Sequence, residues 1–241
     1  MSEVRRLADA AAVASAAADL IRATITAAKS ERGRASVVLT GGGVGTRSVN
    51  EWAAGLDDPV QDLADVHLWW GDERYVPAGD PERNDAALLD AVAGAAEFPN
   101  IHRMSAEGEA ADADASAAGY AAELDAFAAP GEPLFDLLLL GVGPDGHVAS
   151  LFPQHPGLAD RSASVVVVHN SPKPPPTRLS MSIDTLNRAR QVFFLVAGAD
   201  KAAAVGKAFG GASYTDIPAT GVTGLESTGW LLDEAAGASL P

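Results

Sequence analysis

The chain has 241 residues, of which 47% are hydrophobic and 20% charged, and its formal net charge is −15. This composition is that of an ordinary globular protein, and we expect residues 1–241 to form a single α/β domain with a substantial core. The acidic balance argues against nucleic acid or an anionic membrane as a partner. An anionic substrate would therefore have to be held by a few local cations.

The sequence contains no cysteine, which excludes a disulfide framework and a thiolate zinc site. This absence suits a reducing compartment, and we expect a cytoplasmic protein. Arg5-Arg6 before an alanine-rich stretch could imitate a twin-arginine export signal, but Asp9 and Asp19 interrupt the apolar region that such a signal needs. No apolar run approaches the ~20 residues of a membrane span.

The predicted elements begin with an amphipathic helix and then alternate between strands and helices. Helical spacing in the first segment relates Leu7, Ala11, Ala14, Ala18, Ile21, Ile25 and Ala28. The later elements, in chain order, are strand Ser36–Thr40, helix Thr46–Leu56, strand Val66–Trp70, helix Asn84–Val92, helix Ala110–Phe127, strand Phe135–Leu140, strands Val165–Val168 and Arg178–Ser182, strand Gln191–Ala197, helix Ala199–Phe209, a strand around Trp230 and a last helical turn. The fold class is therefore α/β, with a mostly parallel, Rossmann-like central sheet and helices on both faces.

Four segments follow predicted strands and should meet at one edge of this sheet. They are Gly41–Gly45, Gly71–Arg74, Gly141–His147 and the segment that reaches Lys201. In open α/β sheets, ligands bind beyond the carboxyl ends of the strands. The sequence therefore predicts a ligand site built from these four segments.

The first segment, Thr40–Thr46, joins a strand to a helix through Gly41, Gly42 and Gly43. Glycines let the backbone approach an anion closely, and a helix N-terminus supplies free N–H groups, so anion binding is favoured over a simple tight turn. No lysine follows in the register of a Walker loop, and the spacing is not that of a dinucleotide fingerprint.

In the second segment, Asp72 and Arg74 follow a buried strand at a position where a solvated loop and a functional one are about equally expected. Asp72 could hydrogen-bond sugar hydroxyls or orient a partner, and Arg74 could pair with a phosphate or carboxylate. Arg178 and Lys201 are further candidates for neutralising a phosphate, with Lys173 and Arg47 as weaker ones.

The third segment, Gly141–Pro153, is the most specific. Its glycines and Pro144 form a rigid turn that presents His147 at the mouth of the sheet, where a neutral imidazole can take a proton from water. Asp145 could fix the tautomer of this histidine or hold a substrate hydroxyl. A buried histidine satisfied by the backbone is the competing interpretation.

Two other kinds of site are disfavoured by the sequence. The remaining histidines have no ligand-like spacing, so we expect no metal site. A Gly-x-Ser-x-Gly elbow is absent, which argues against a serine triad on an α/β-hydrolase fold.

These motifs, in order, resemble those of the 6-phosphogluconolactonase family within the glucosamine-6-phosphate isomerase/lactonase superfamily. The matching pieces are Leu39–Gly43, Trp70–Pro77, Asn84, Gly141–His147 with Ala149–Pro153, Pro172–Arg178 and Gly198–Lys201, with weaker similarity at Ile217–Ala219 and Trp230–Asp233. Members usually carry glycine where this chain has Gln154, a departure that concerns the geometry of that loop and not the identity of the base.

The resemblance implies a hydrolase that converts 6-phospho-D-glucono-1,5-lactone to 6-phosphogluconate in the pentose phosphate pathway, without metal or cofactor. It implies His147 as general base, with Asp145 and Asp72 as further catalytic residues. The implied substrate and phosphate contacts are Gly41, Gly42, Gly43, Arg74, Gly146, Arg178 and Lys201. We expect a monomer or weak homodimer whose partner is the small sugar phosphate lactone.

Two alternatives remain. Glucosamine-6-phosphate deaminase shares the scaffold, but its signature has a glutamate five residues after the corresponding histidine, where this chain has Phe152. A non-catalytic sugar-phosphate sensor would need a DNA-binding helix-turn-helix, for which neither terminus has room or basic charge.

Overall fold

The computed structural model describes residues 3–92, 94–128 and 131–240. Its strands are β1 (Glu3–Leu7), β2 (Ala35–Leu39), β3 (Val66–Trp70), β4 (Asp72–Arg74), β5 (Phe135–Gly141), β6 (Val165–Val168), β7 (Arg178–Met181), β8 (Ala189–Val196) and β9 (Ser227–Asp233). Its α-helices are α1 (Ala10–Arg32), α2 (Gly42–Ala53), α3 (Pro59–Asp62), α4 (Ala86–Ala91), α5 (Ala113–Phe127), α6 (Pro156–Ala159), α7 (Ile183–Leu186) and α8 (Ala202–Phe209).

The strands form two sheets of different kinds. The larger sheet is parallel, in the order β1-β9-β8-β5-β2-β3, and this confirms the predicted central sheet. The smaller sheet is antiparallel, in the order β4-β7-β6. The sequence pattern does not distinguish the two sheets. The valines of β6 pack in the same hydrophobic core as Leu138 and Leu140 of the parallel sheet, so that β6 is as apolar as a buried parallel strand.

Two strands were missed. Gly71–Arg74 was predicted as a loop, but Asp72–Arg74 is β4, a strand too short to show any periodicity. Leu7 was assigned to the first helix, yet it ends β1, and α1 begins at Ala10 with the Asp9 carboxylate accepting the Ala12 N–H at 2.8 Å. The sequence of β1 is polar because this edge strand is largely exposed.

The remaining boundaries differ by a few residues. The second helix begins at Gly42 and not at Thr46, so that the glycines form its first turn. The long helix before β5 starts after Asp112, whose carboxylate caps it. The helix after β8 begins with a 3₁₀ turn at Ala199–Lys201.

By length and composition alone α1 would suffice for a membrane span, contrary to the expectation that no segment approaches one. In the structure, Val13, Ala17 and Ile21 of this helix are fully buried in the core that covers one face of the parallel sheet. Its apolar face is therefore already used in the fold.

The parallel sheet separates two hydrophobic cores. Along β5, Leu137 and Leu139 belong to the core beneath α1 and α2, whereas Leu138 and Leu140 belong to the core beneath α5, α8 and the small sheet. Alternate side chains of a strand point to opposite faces. The continuous apolar run that identified β5 in the sequence is thus the signature of a strand buried on both sides.

The side chain of Tyr120 on α5 is hydrogen-bonded to the backbone at the end of the edge strand β3. The Tyr120 hydroxyl accepts the N–H of Trp70 at 2.9 Å and donates to its carbonyl at 3.2 Å, and Tyr120 is 2% exposed. Trp70 is the last residue of β3, and Gly71 separates it from β4. The two hydrogen bonds of Tyr120 therefore hold the backbone at the point where β3 leads into β4.

We expect Tyr120→Phe to lower the free energy of unfolding by about 1–3 kcal/mol, because it leaves the buried N–H of Trp70 without a partner. Urea denaturation measures the change. Tyr214→Phe, at an exposed tyrosine, is the control and should lie within about 0.5 kcal/mol of the parent chain. Equal stability of both variants would contradict the assigned role of Tyr120.

Candidate active site

A cleft of about 350 Å³ opens at the carboxyl ends of β2, β5 and β8. All four segments predicted to meet at this edge contribute to its walls. They supply Gly41–Gly45, Asp72 with Arg74, Gly141–Pro144 with His147, and Lys201. Lys173 and Arg178 line the same cleft from the loop that leads into β7 and from its first residue.

The glycine loop forms one wall and carries the N-terminus of α2. The cap residue is Gly41, which has no side chain to accept a hydrogen bond from the first turn of the helix. Gly41 lies against the side chain of Asn84 so closely that a β-carbon would overlap it, and Gly42 has φ of +78°. The loop therefore requires glycine, and the uncapped helix end with its positive polarity faces the cleft.

His147 and Asp145 form a hydrogen-bonded pair on the opposite wall. The Nδ1 of His147 lies 2.5 Å from Asp145 Oδ1, and the His147 side chain is 15% exposed. The ring packs against Phe152, with 4.6 Å between the ring centroids. Phe152 is itself buried, so the imidazole is held between a carboxylate and an apolar wall.

The Asp145 carboxylate is held in its ionised form. Burial raises its pKa, but the hydrogen bond and charge of His147 and the nearby Lys173 outweigh burial, and the pKa lies below its ordinary value. An ionised carboxylate only accepts hydrogen bonds. Nδ1 of His147 therefore carries the proton of this hydrogen bond, and in the neutral imidazole the lone pair lies on Nε2.

Three cations gather near this pair. Lys173 Nζ lies 3.5 Å from His147 Nδ1, and its pKa is lowered by burial and by the charges of Lys201 and Arg178, against the opposing effect of Asp145. Lys201 forms an ion pair with the exposed Asp200. These charges make the cleft locally positive in a chain of net charge −15.

Arg178 is 5% exposed, and its guanidinium is largely used within the protein. It donates to the carbonyls of Lys173, Pro174 and Pro175, at 3.4, 2.6 and 3.3 Å. Burial lowers its pKa from the ordinary value. Arg178 thus contributes positive charge to the cleft and at the same time fixes the loop that carries Lys173.

Asp72 and Arg74 line the cleft from β4, and polar partners hold both. Asp72 Oδ2 accepts the hydroxyl of Ser150 at 2.6 Å. Asn84 donates to the carbonyl and to the carboxylate of Asp72, at 2.8 and 3.3 Å, and its Oδ1 accepts Arg74 Nη1 at 2.5 Å. Asn84 therefore connects an acid and a base that line the cleft.

Two of the predicted site residues lie behind the cleft. Asp145 contacts His147 but does not line the cavity. Gly146 has φ of +84°, faces Ile217, and its carbonyl accepts the N–H of Ala219 at 3.1 Å. Gly146 therefore shapes the turn that presents His147.

Sequence reasoning missed the site roles of Asn84 and Ser150 and ranked Lys173 low. Asn84 was noted only as a matching motif position, and Ser150 only as part of the third segment. A polar residue that follows a strand does not reveal which distant element it will contact. Among the residues described, no group of three His, Asp or Glu side chains is placed to hold a metal ion.

Gln154 has a left-handed backbone conformation, with φ of +57°, which glycine adopts at a lower cost than other residues. Its side-chain Nε2 donates to the carbonyl of Thr215 at 3.2 Å and to Asp216 Oδ1 at 2.9 Å. The loop after His147 thus keeps a left-handed turn without glycine, and side-chain hydrogen bonds to a neighbouring segment offset its conformational cost.

The features of the cleft indicate a class of protein. A glycine loop at a helix N-terminus, an imidazole–carboxylate pair and several cations meet at the carboxyl edge of a parallel sheet. They are the parts of an α/β enzyme site for a small anionic substrate.

Comparison with known proteins gives the family. The family model described as glucosamine-6-phosphate isomerases/6-phosphogluconolactonase matches residues 8–230. The chain is 46% identical to the 6-phosphogluconolactonase of Streptomyces coelicolor, over 95% of this chain and 91% of that protein. It is 43% identical to the 6-phosphogluconolactonase of Mycobacterium leprae, over 100% and 99% of the two chains. The chain belongs to the glucosamine-6-phosphate isomerase/6-phosphogluconolactonase family.

Solved structures agree with this assignment at the level of the fold. The 6-phosphogluconolactonase from Thermotoga maritima superposes with a TM-score of 0.82 at 25% identity, over 97% of this chain and 100% of that chain. The devB protein superposes with a TM-score of 0.81 at 30% identity, over the whole of both chains.

The turn at Gln154 yields a prediction about stability. Gln154→Gly and Gln154→Ala both remove the bonds to Thr215 and Asp216, but only the glycine variant also removes the cost of a left-handed β-carbon residue. We therefore expect Gln154→Gly to be more stable than Gln154→Ala by about 1 kcal/mol in urea denaturation. If the alanine variant were the more stable of the two, the left-handed backbone at this position would be contradicted.

Proposed function

We propose that this protein hydrolyses 6-phospho-D-glucono-1,5-lactone to 6-phosphogluconate, in the pentose phosphate pathway, with His147 as the general base. The single observation that carries the mechanism is the bond between Asp145 and His147 Nδ1, since it leaves Nε2 free to accept a proton. The full-length similarity to 6-phosphogluconolactonases supports the substrate.

The reaction needs one proton acceptor that later becomes a donor. Nε2 of His147 takes a proton from water as the water oxygen bonds to the lactone carbonyl carbon. When the ring C–O bond breaks, the imidazolium returns that proton to the departing ring oxygen, and the new carboxylic acid then ionises. Asp145 stabilises the transient imidazolium, and because a lactone is an activated ester, no covalent nucleophile is required.

The phosphate group of the substrate accounts for the cations. We assign it to the Gly41–Gly43 loop together with Arg178 and Lys201, with Lys173 close to the reacting end because it lies beside His147. Lys201 would exchange its exposed partner Asp200 for the phosphate. Asp72 and Arg74 would contact the sugar hydroxyls, which explains why an acid and a base lie side by side there.

The deaminase alternative lacks its carboxylate. The residue five positions after His147 is Phe152, which is 1% exposed and packs against the imidazole ring. An apolar ring at this place cannot assist the opening of a sugar ring by proton transfer. The lactonase mechanism above needs no carboxylate at this position, because His147 is both the proton acceptor and the proton donor.

The proposal extends to the cellular compartment, the partners and the oligomeric state of the enzyme. With its net charge of −15 and no cysteine, the chain suits a cytoplasmic enzyme whose partner is the small lactone and which does not bind nucleic acid or membranes. We propose a monomer or a weak homodimer.

We expect the protein to accelerate the decay of lactone generated freshly from glucose 6-phosphate by its dehydrogenase, and His147→Ala to reduce kcat by about 10²–10⁴-fold through loss of the base. His169→Ala, at an exposed histidine, is the matched control and should leave the rate unchanged. Decay at the spontaneous rate with the native protein would refute the function. Ammonia release from glucosamine 6-phosphate, measured in parallel, would instead support the deaminase.

Replacing the partner of the base should also slow the reaction. In Asp145→Asn, the amide can donate to Nδ1 and so favour the tautomer in which Nε2 carries the proton. We expect kcat to fall by about 10²-fold while the fold is retained. Asp160→Asn, at a loop carboxylate that accepts the N–H of the nearby Ser162 at 2.8 Å, should retain full kcat. Full activity of Asp145→Asn would rule out tautomer control by Asp145.

A further inference from the structure

Glu73 lies between Asp72 and Arg74 on β4 but points away from the cleft. Successive side chains of a strand alternate, so that Asp72 and Arg74 face the ligand and Glu73 faces the interior. It is 1% exposed. The mechanism proposed above gives this buried carboxylate no part in the reaction.

The Glu73 carboxylate accepts three backbone N–H groups. Oε1 accepts those of Arg74 and Asn84, at 2.8 and 2.7 Å, and Oε2 accepts that of Asp85 at 3.1 Å. Two of these donors belong to the segment before α4, which is separated from β4 by a loop. One carboxylate therefore fastens that segment to the strand.

Burial of this carboxylate outweighs the effect of its charged neighbours. Burial raises the pKa of Glu73 to about 7, against the opposing effect of Arg83, whose Nη2 lies 3.6 Å from Oε2. Arg83 also pairs with Asp85, and Asp85 pairs with Arg103 at 2.8 Å. A buried ionic network of this kind retains its charges only while its geometry is kept.

The segment fastened by Glu73 delivers one side chain into the cleft. The amide of Asn84 bridges the carboxylate of Asp72 and the guanidinium of Arg74. Because Glu73 contacts only the backbone N–H of Asn84, the two sets of bonds can be removed separately. Contacts therefore run from the buried Glu73 carboxylate, through Asn84, to Asp72 and Arg74.

We propose that Glu73 is a positioning residue for the lactonase reaction, acting through Asn84 to set the orientation of Asp72 and Arg74. Glu73 itself does not touch the substrate. The inference rests on the proposed function, since it concerns the geometry of the same cleft.

A double-mutant cycle on the folded full-length chain tests the proposal. We expect Glu73→Gln and Asn84→Ala each to lower kcat/KM for the lactone by about ten- to a hundredfold, because small displacements of binding groups are costly. In the Asn84→Ala background, Glu73→Gln should cause no further loss, since its effect passes through the missing side chain. Losses that multiply would overturn the proposal.

Asp136→Asn is the matched control. Asp136 is also buried and also accepts a backbone N–H, that of Ser36 at 2.9 Å, but it lies at the start of β5, far from the carboxyl edge. Its variant should lose stability in urea and keep kcat/KM. A loss of kcat/KM in Asp136→Asn equal to that in Glu73→Gln would mean a general effect of stability and would overturn the positioning role.

Two further results distinguish a failure of the positioning role from a failure of the proposed function. If Glu73→Gln does not fold, Glu73→Asp takes its place in the cycle, because its shorter side chain withdraws the carboxylate from the N–H of Asn84. Unchanged kcat/KM in Asn84→Ala overturns the proposal in either case, since that variant removes the bridge between Asp72 and Arg74. A native chain with no lactonase activity would instead be a failure of the proposed function, which the parent measurement shows directly.

Discussion

A parallel strand that is buried on both faces can reach its neighbour only by a crossover, and this constraint arranges the whole molecule. Each crossover returns the chain to the same end of the sheet, so that the loops leaving β2, β5 and β8 all emerge at one edge. The glycine loop, the histidine turn and the lysine turn come from distant parts of the sequence. They share a cleft because the strands that precede them share a direction.

The cleft also needs support from outside the parallel sheet. The antiparallel sheet brings Asp72, Arg74 and Arg178 to the same edge, since Arg74 and Arg178 are paired across β4 and β7. Like charges that face one another in a sheet repel, and here each guanidinium is held by its own acceptors. The protein thus concentrates positive charge locally although its overall charge is strongly negative.

Much of the fold and of the cleft could be predicted from the sequence, and the features that could not be predicted have physical reasons. The runs at Val66–Trp70 and Phe135–Leu140, each interrupted by one polar residue, are visible because a strand buried on both faces is apolar over most of its length. The four loops could be brought together because parallel strands impose a shared edge. By contrast, β1 is a polar edge strand recognised only through its pairing with β9, and β4 is three residues long.

The roles of individual side chains were harder to predict than their presence in the site. His147 and Asp145 are two residues apart, so that a local turn suffices to join them, and their contact was one of the two roles that the sequence allowed for Asp145. The partners of Asp72 are Asn84, 12 residues away, and Ser150, 78 residues away. Contacts of that kind depend on tertiary packing, and no local pattern encodes them.

The loop before β7 shows a further consequence of composition. Pro174, Pro175 and Pro176 have no N–H groups, so the carbonyls of this stretch cannot be satisfied by each other, and Arg178 supplies donors to two of those carbonyls and to that of Lys173. Charge and loop shape are therefore inseparable at this position. A lysine there would keep the charge but, with a single ammonium, would lose the planar array of donors. Replacing Arg178 by alanine would remove its charge and its hydrogen bonds to the loop together, so the measured effect would combine the two roles. Relatives whose proline run differs should also differ at residue 178.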